Sequence, residues 1–328
     1  MNKLISLIAI MFTTIVSTAF AGDKVTIQLK WVTQAQFAGY YVAKDKGFYD
    51  AEDLDVTIKP GGPDIAPAQV LAGGGADVMV DWMPSALAAR EKGLPLVNIA
   101  QPFKSSGMML TCRKDMGVNS TDDLKGKTLG VWFYGNEYPF LSWMSRLGLA
   151  TDGSADGVTV LKQGWGVEPL TEGQAACVST MSYNEYWVVR DAGYSPEQLT
   201  VFKYQTEGAS TLEDGLYVLE KNLGDSSFKD KMVRFVRASM KGWKYAEANP
   251  KEAASIILDN DDAGVQTEKH QVRMMGEIAK LTAGSNGALD PADYQRTVKV
   301  LMSGASDPVI TKEPSGAWTH DITNAALN

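Results

Sequence analysis

The sequence contains only two histidines, His270 and His320, and only two cysteines, Cys112 and Cys177. A histidine-based triad, a histidine-rich metal site or a Cys/His zinc site cannot be assembled convincingly from so few groups. The P-loop, G-x-G-x-x-G and G-x-S-x-G motifs are also absent. We therefore expect no metal and no cofactor. These absences count against an enzyme, although they leave open one that is built on carboxylates.

Long apolar runs are equally scarce. The N-terminal run Leu4–Phe12 follows Lys3 and is too short to span a bilayer, and Ala19–Ala21 has the small-x-small pattern of a signal-peptide cleavage site. We expect residues 1–21 to be a signal peptide that is cleaved after Ala21, and the protein to be exported to the periplasm. Because no cysteine lies near this site and no other apolar run is long enough, we expect no membrane anchor.

Basic residues are outnumbered, with 31 Lys and Arg against 39 Asp and Glu, which gives a formal net charge of −8 at pH 7. An acidic exported protein is a poor candidate for binding nucleic acid or anionic lipid. A soluble acidic surface accounts for this charge, and we expect no nucleic-acid partner.

The two cysteines form an even pair. In an oxidising compartment such a pair suggests a disulfide, and Cys112 and Cys177 both fall in predicted strands of the same part of the chain. The loop that the disulfide would close is long, so its entropic stabilisation could reach roughly 4 kcal/mol. The alternative is two buried free thiols.

The chain has a regular alternation of strand and helix patterns. Four strands are predicted at Lys24–Trp31, Leu54–Ile58, Asp77–Val80 and Leu96–Ile99, with helical patterns between them. This βαβαβαβ order predicts a parallel sheet covered by helices. The length of 328 residues exceeds one typical domain and favours two lobes.

A weak internal repeat supports two similar α/β lobes. Ala72–Gly93 aligns without a gap with Glu172–Gly193, and farther upstream Gln36 aligns with Asn136. We expect residues 22–107 to form the first part of the first lobe and residues 108–207 to form the second lobe. Residues 208–328 should return to the first lobe and add C-terminal helices. Two crossings, near Ser105–Met109 and Glu207–Gly215, would form a hinge.

The stretch Gly126–Pro139 predicts a strand, a loop and a helix start. Thr128–Val131 is the strand, Asn136 is a suitable N-cap, and Pro139 fits the first helical turn. Ligands bind at such junctions in open α/β sheets. The acidic Glu137 among aromatic residues favours a flat ligand with N–H donors or positive charge rather than an anion.

The carboxyl ends of the strands of both lobes should face each other across a cleft. Aromatic residues and carboxylates are frequent at these ends: Trp31, Trp82, Trp132, Tyr138, Trp165, Tyr183, Trp187, Asp64, Asp81, Glu137 and Glu185. Aromatic faces stack on planar rings and carboxylates accept hydrogen bonds from ring amines, so we expect a planar, nitrogen-rich, neutral or cationic ligand. Each aromatic residue could instead pack between elements, and Glu185 could simply complement a helix dipole.

Several stretches carry a resemblance to a known family. KWVTQAQFAGYYVAKDKGFYDAEDLDVTI, GGPDIAPAQVLAGGGADVMV, WFYGNEYPFLSWMSRLGL and DPADYQRTVKVL resemble the substrate-binding proteins of ABC importers for thiamine pyrimidine precursors. The wider relatives of that family include taurine- and nitrate-binding proteins and the fungal pyrimidine synthase. The resemblance implies a type II periplasmic-binding-protein fold, in which two lobes close on a solute through a hinge.

The resemblance also implies ligand-binding residues and partners. The positions it suggests are Trp31, Tyr40, Asp81, Trp82, Asn136, Glu137, Tyr183 and Glu185, and we add Gln36 as the repeat partner of Asn136. It implies a small-molecule ligand, a membrane permease with an ATPase, and a monomer. Riboflavin or another flat heterocycle remains open as the ligand. The alternatives from other classes are a cleft enzyme of the synthase type, whose early reactive histidine and cysteine cluster are missing here, and a receptor-linked sensor.

Overall fold

The structure is a computed structural model that describes residues 22–303 and 308–327. The predicted signal peptide, residues 1–21, lies outside these ranges.

Ten strands form two five-stranded sheets. The first sheet has the order β2-β1-β3-β10-β4 and the second has the order β7-β6-β8-β5-β9. The strands are β1 Asp23–Gln28, β2 Leu54–Lys59, β3 Val78–Asp81, β4 Leu96–Ala100, β5 Met108–Arg113, β6 Thr128–Val131, β7 Thr159–Lys162, β8 Cys177–Met181, β9 Leu199–Lys203 and β10 Gly215–Leu219.

The two sheets have the same layout, which confirms the prediction of two similar α/β lobes. The strands β1, β2 and β3 of the first sheet correspond in position to β6, β7 and β8 of the second. The four strands predicted for the first sheet run parallel to one another, but each sheet is mixed, because β10 and β5 each run antiparallel to both of their neighbours. In the sequence, each of these two antiparallel strands is the first strand after the chain crosses from the other sheet.

Eleven α-helices lie within the described ranges. They are α1 Ala38–Asp45, α2 Pro67–Ala72, α3 Met83–Glu91, α4 Tyr138–Arg146, α5 Glu168–Thr171, α6 Glu185–Asp191, α7 Ser226–Ala248, α8 Pro250–Asp259, α9 Glu268–Thr282, α10 Pro291–Met302 and α11 Asp321–Leu327. None of them is long and apolar enough to cross a membrane.

The long helix α7 packs closely on α1 of the first lobe. A Cβ atom at Gly39 would lie 2.3 Å from the indole of Trp243, and one at Gly242 would lie 2.0 Å from the carbonyl oxygen of Gly39. Only glycine therefore allows the two helices to approach at this point. The contact fixes α1, and with it the loop after β1, against the C-terminal part of the chain.

The chain crosses between the sheets twice. It leaves the first sheet at Ala100 and enters the second at Met108, and it leaves the second at Lys203 and returns to the first at Gly215. We call residues 101–107 the outward segment and residues 204–214 the return segment. We propose them as the hinge.

The predicted disulfide is confirmed. Cys112 on β5 and Cys177 on β8 lie directly opposite each other in the antiparallel ladder, with an S–S distance of 2.09 Å. Both residues are completely buried. The bond therefore joins the inserted strand β5 to the parallel part of the second sheet.

Removing this bond should destabilise the second lobe. The disulfide closes a loop with a sequence separation of 65 residues, for which chain entropy predicts a contribution of about 4 kcal/mol. We expect the double variant Cys112→Ala/Cys177→Ala to lose about this much free energy of unfolding in urea titrations. An unchanged transition midpoint and slope would show that the bond adds nothing to stability.

Candidate functional site

A pocket lies where the two sheets present their strand ends to each other. Seven of the residues selected from the sequence line it: Trp31, Gln36, Trp82, Trp132, Asn136, Tyr183 and Glu185. Three further lining residues, Lys30, Gln34 and Met181, were not selected. Lys30 and Trp31 follow β1, Trp82 follows β3, Trp132 follows β6 and Met181 ends β8, so the pocket is built from the carboxyl ends of strands in both lobes.

Aromatic rings from opposite lobes form the walls of this pocket. The indoles of Trp31 and Trp132 meet edge to face, with ring centroids 6.0 Å apart. Trp132 is oriented by its Nε1–H, which donates to the carbonyl oxygen of Gly164 at 2.8 Å. The pocket has a cavity volume of about 20 Å³, which is room for about one water molecule. A planar ring can therefore enter only when the two indoles separate.

A buried ion pair lies at the first-lobe side of the pocket. The Lys30 ammonium is 2.5 Å from Asp81 Oδ1, and both side chains are almost inaccessible. Asp81 also accepts the backbone N–H of Trp82 at 2.8 Å and the Ser85 hydroxyl at 2.9 Å. Asp81 thus lies beneath the pocket and is engaged by the protein itself. It is Lys30, 5.2 Å from the centroid of the Trp82 ring, that reaches the pocket.

Asp214 forms a second acidic contact behind the pocket. Its two carboxylate oxygens accept Gln36 Nε2–H at 2.7 Å and Trp82 Nε1–H at 3.1 Å. Burial raises the pKa of Asp214 to about 7, although the Gln36 hydrogen bond and the positive charge of Lys30 act in the opposite direction. Asp214 therefore orients two of the side chains that line the pocket.

Glu185 is the acid that lines the pocket from the second lobe. Its Oε2 accepts the backbone N–H of Met181 at 2.9 Å, and its Oε1 accepts Asn184 Nδ2–H at 2.7 Å. Each carboxylate oxygen retains a second lone-pair direction that a ligand could use. Burial raises the pKa of Glu185 to about 7, against the effect of these hydrogen bonds. The group can therefore act as an acceptor or, when protonated, as a donor near neutral pH.

The loop before α4 divides its residues between two spaces. Asn136 lines the pocket, whereas Glu137 and Tyr138 line a neighbouring crevice between the lobes. The predicted N-cap at Asn136 is wrong, since the helix begins at Tyr138 and the Asn136 side chain donates to the carbonyl oxygen of Phe133 at 2.8 Å. Glu137 turns back to accept the Gly135 N–H at 2.8 Å, and burial raises its pKa.

Four other selected residues lie away from the pocket. Tyr40 is in the core, edge to face with Trp243 at 5.7 Å, because α1 turns this side towards α7. Trp187 donates Nε1–H to the Ser182 carbonyl oxygen at 2.9 Å and lies under the Arg273 guanidinium. Trp165, with 55% of its surface exposed, and Asp64 lie outside the central space.

Direct contacts between the lobes surround the pocket. Asp64 pairs with Lys162 at 3.0 Å, and Asp191 pairs with Arg273 at 2.9 Å. His270 Nε2–H donates to Asn184 Oδ1 at 2.8 Å in the tautomer that this acceptor requires. The lobes are therefore closed on each other, with charged side chains of the two lobes in contact at the rim.

Sequence reasoning missed the polar residues that hold the aromatic ones. Lys30 directly precedes a selected tryptophan at the end of β1, and its basic charge was not considered in an acidic site. Asp214 and Glu213 directly precede the apolar strand GLYVL, as Asp81 follows VMV. An acidic residue directly beside an apolar strand was therefore the sequence signal that could have identified Glu213 and Asp214.

Comparison with solved structures defines the class of fold. The chain superposes on a protein from Bordetella bronchiseptica RB50 with a TM-score of 0.73, at 20% identity and covering 93% of this chain and 97% of that one. It also superposes on the periplasmic sulfonate-binding protein SsuA of Methylobacillus flagellatus KT, with a TM-score of 0.64, at 14% identity and covering 94% of each chain. The fold is that of the periplasmic binding proteins.

The sequence identifies the family within this fold class. Residues 34–253 match the NMT1/THI5-like family, and the chain belongs to it. The formylaminopyrimidine-binding protein of Halalkalibacterium halodurans is 25% identical over 97% of this chain and 98% of its own length.

Two further relatives carry other names. The riboflavin-binding protein RibY of Chloroflexus aurantiacus is 25% identical over 72% of this chain and 66% of its own length. The 4-amino-5-hydroxymethyl-2-methylpyrimidine phosphate synthase of Legionella pneumophila is 32% identical over 33% of this chain and 34% of its own length. The family therefore contains proteins named as binding proteins and proteins named as enzymes.

The burial of Glu185 predicts a specific dependence of stability on pH. Because the pKa is about 7 in the folded protein against an ordinary 4.5, the folded state keeps a proton that the unfolded chain has released between these values. The contribution of Glu185 to stability is thus fully present below pH 4.5 and is lost as the pH rises through about 7. Calorimetry should show the melting temperature of wild type falling relative to Glu185→Gln across this interval. A difference in melting temperature between the two proteins that stays constant from pH 4.5 to 7 would contradict the raised pKa of Glu185.

The Lys30–Asp81 pair predicts an unequal effect of two similar substitutions. Lys30→Met leaves the fully buried Asp81 carboxylate without its cation, which typically costs about 3–5 kcal/mol. Lys46→Met breaks an ion pair of the same length with Glu252 at the surface and should change the free energy of unfolding little. Urea titrations of both variants test this. Equal losses would mean that Asp81 finds another partner.

Proposed function

We propose that the protein is the periplasmic solute-binding component of an ABC importer and captures a thiamine pyrimidine precursor between its lobes. The observation that carries this proposal is the composition of the pocket, in which indole rings from both lobes surround one carboxyl group and one ammonium group. Supporting it, the formylaminopyrimidine-binding relative aligns with nearly the whole chain.

An aminopyrimidine matches the polar groups of this pocket. When protonated, the Glu185 carboxyl donates to a ring nitrogen and accepts from the adjacent amino group. When ionised, it pairs with a ring that carries the proton itself. A carboxyl whose pKa is raised to about 7 supplies both forms near neutral pH.

The opposite end of the ligand should be a hydrogen-bond acceptor. The Lys30 ammonium has three donors, one of which is used by Asp81. A hydroxyl or formyl oxygen on the pyrimidine substituent would accept from the remaining donors. The ligand we propose is therefore neutral or weakly basic on one edge and carries an oxygen on another.

Binding follows from opening and closing of the hinge. The cavity of about 20 Å³ is too small for a ring, so the ligand binds to a more open form. Closure then brings Trp31 and Trp132 onto the ring faces and excludes water, which strengthens the polar contacts.

Transport rather than turnover is the activity that we infer. The formylaminopyrimidine-binding relative aligns with 97% of this chain at 25% identity, whereas the synthase THI13 of Saccharomyces cerevisiae aligns with 72% at 23% identity. We infer an exported protein that delivers its ligand, as a monomer, to a permease driven by an ATPase. Riboflavin is the second candidate ligand, because a riboflavin-binding relative is equally identical over a shorter span.

Calorimetric titration with four compounds tests the ligand. We expect formylaminopyrimidine or 4-amino-5-hydroxymethyl-2-methylpyrimidine to bind at micromolar concentration or below and an alkanesulfonate not to bind. Trp31→Ala should weaken binding about 5- to 150-fold, because stacking of a base on an aromatic ring contributes about 1–3 kcal/mol. The matched control Trp165→Ala, at the exposed rim, should change it little.

Three outcomes would revise this proposal. Binding of riboflavin alone would keep the carrier and change its ligand. Binding of the sulfonate would overturn the assignment of Glu185 as a ligand-binding group. Conversion of the bound pyrimidine to another product, detected by mass spectrometry, would favour the enzyme.

A further inference from the structure

Two consecutive acids are buried at the end of the return segment. Glu213 and Asp214 are each 1% exposed and directly precede β10. Asp214 has a φ of +39°, which a residue with a side chain adopts only when its surroundings hold it there. Two buried carboxyl groups at a crossing between lobes are costly unless each is fully hydrogen-bonded.

The two carboxyl groups point to different parts of the molecule. Asp214 accepts from Gln36 and Trp82, which line the first-lobe side of the pocket. Glu213 accepts the Ser106 hydroxyl at 2.5 Å and the Gly107 N–H at 3.1 Å. Ser106 and Gly107 belong to the outward segment, so Glu213 ties the two crossings to each other.

The chain of contacts continues into the second lobe. The carbonyl oxygen of Gly107 accepts the Ser182 N–H at 2.8 Å. A Cβ atom at Gly107 would lie 3.1 Å from the ring of Tyr183, which lines the second-lobe side of the pocket. The hydroxyl of Tyr183 is buried and makes no hydrogen bond to any described residue.

The charges around the two acids are few. Lys30 is the cation that favours the ionised form of Asp214, while Asp81 opposes it, and Glu213 and Asp214 disfavour each other. The phenols of Tyr40, Tyr183 and Tyr217 also face Asp214. Burial raises the pKa of Glu213 to about 8. The Gly107 N–H and the Trp82 Nε1–H can only donate, whereas the Ser106 hydroxyl can donate or accept, so the Ser106 contact is kept in either protonation state of Glu213.

We propose that Glu213 and Asp214 form a clasp that couples the position of Trp82 and Gln36 to the angle of the hinge. Both are positioning residues, since they act on a ligand only through the residues they hold. The coupling to a ligand rests on the proposed function, whereas the coupling to the hinge does not. Rotation at the return segment moves Asp214 and with it the first-lobe wall of the pocket.

The hinge arm of the test uses ligand-free protein. Spin labels on Ala72→Cys and Ala150→Cys, both exposed and on opposite lobes, report the interlobe distance by pulsed electron resonance. Asp214→Asn places an amide N–H where Gln36 Nε2–H and Trp82 Nε1–H donate, and Glu213→Gln replaces one of the two acceptor oxygens that face Ser106 and Gly107 by an NH2 group. We expect both variants to widen the distance distribution or shift it to longer distances. Ser106→Ala, a milder change, should do the same to a smaller extent.

A matched control separates the clasp from a general loss of stability. Asp77→Asn is the same change at a carboxylate that accepts the Thr26 N–H at 2.8 Å in the first sheet, without contact to either crossing. It should leave the distance distribution unchanged. Distributions equal to wild type in Glu213→Gln, Asp214→Asn and Ser106→Ala would overturn the clasp, whatever their melting temperatures.

The ligand arm measures coupling between Glu213 and Trp82 with 4-amino-5-hydroxymethyl-2-methylpyrimidine as the probe. We expect Glu213→Gln to weaken binding about tenfold, and the double variant with Trp82→Phe to lose less than the product of the two single losses. If the loss of affinity in the double variant equals the product of the two single losses, Glu213 does not act on the ligand through Trp82. If wild type does not bind the probe, the proposed ligand fails, and the hinge arm still decides the clasp.

Discussion

A buried ammonium–carboxylate contact between Lys30 and Asp81 is the constraint around which the site is arranged. Neither charge could be buried alone, because an unpaired ion in the interior costs far more than a hydrogen bond. The pair joins the ends of β1 and β3, and the remaining oxygen of Asp81 accepts the hydroxyl of Ser85 on α3. The Asp81 carboxylate is therefore hydrogen-bonded by groups of the protein itself, and the Lys30 ammonium is the charged group of the pair that lines the pocket.

The second constraint is topological. In each lobe an antiparallel strand is inserted beside the central parallel strand, next to the point where the chain has crossed between the sheets. The crossings therefore run close to the strand ends that supply the pocket. This is why Gly107, in the proposed hinge, lies so near Tyr183 of the pocket that an added Cβ atom would be 3.1 Å from its ring.

Much of this arrangement was predictable from local patterns. Periodicity and composition, which neighbouring residues determine, were enough to predict the alternation of strands and helices. They also predicted the internal repeat at an offset of one hundred residues and the pairing of Cys112 with Cys177. Trp31 ends a predicted strand, and Trp82 and Trp132 come within two residues after one, so their place at the strand ends followed from strand direction. The position of the Tyr40 side chain could not be predicted in this way, because it depends on where α7 packs, some two hundred residues later in the chain.

The polar half of the site was beyond such patterns. Asp81 was selected as a ligand-binding residue, but the sequence does not show that Lys30, fifty-one residues earlier and just after β1, pairs with it. Glu137 was expected in the pocket on the basis of a helix start at Asn136, and the loop instead turns its carboxylate back onto Gly135. Hydrogen bonds of side chains depend on distances between elements, which only the packed structure defines.

By itself, the sequence determined the two-lobed α/β plan, the disulfide and the aromatic character of the cleft, because these follow from periodicity, cysteine pairing and position relative to strands. Only the tertiary structure decided which acids face the pocket, which are engaged by the protein, and how Glu213 and Asp214 connect the two crossings. The physical reason is that burial and partner distance set the behaviour of a charge, and both arise only when distant segments pack together.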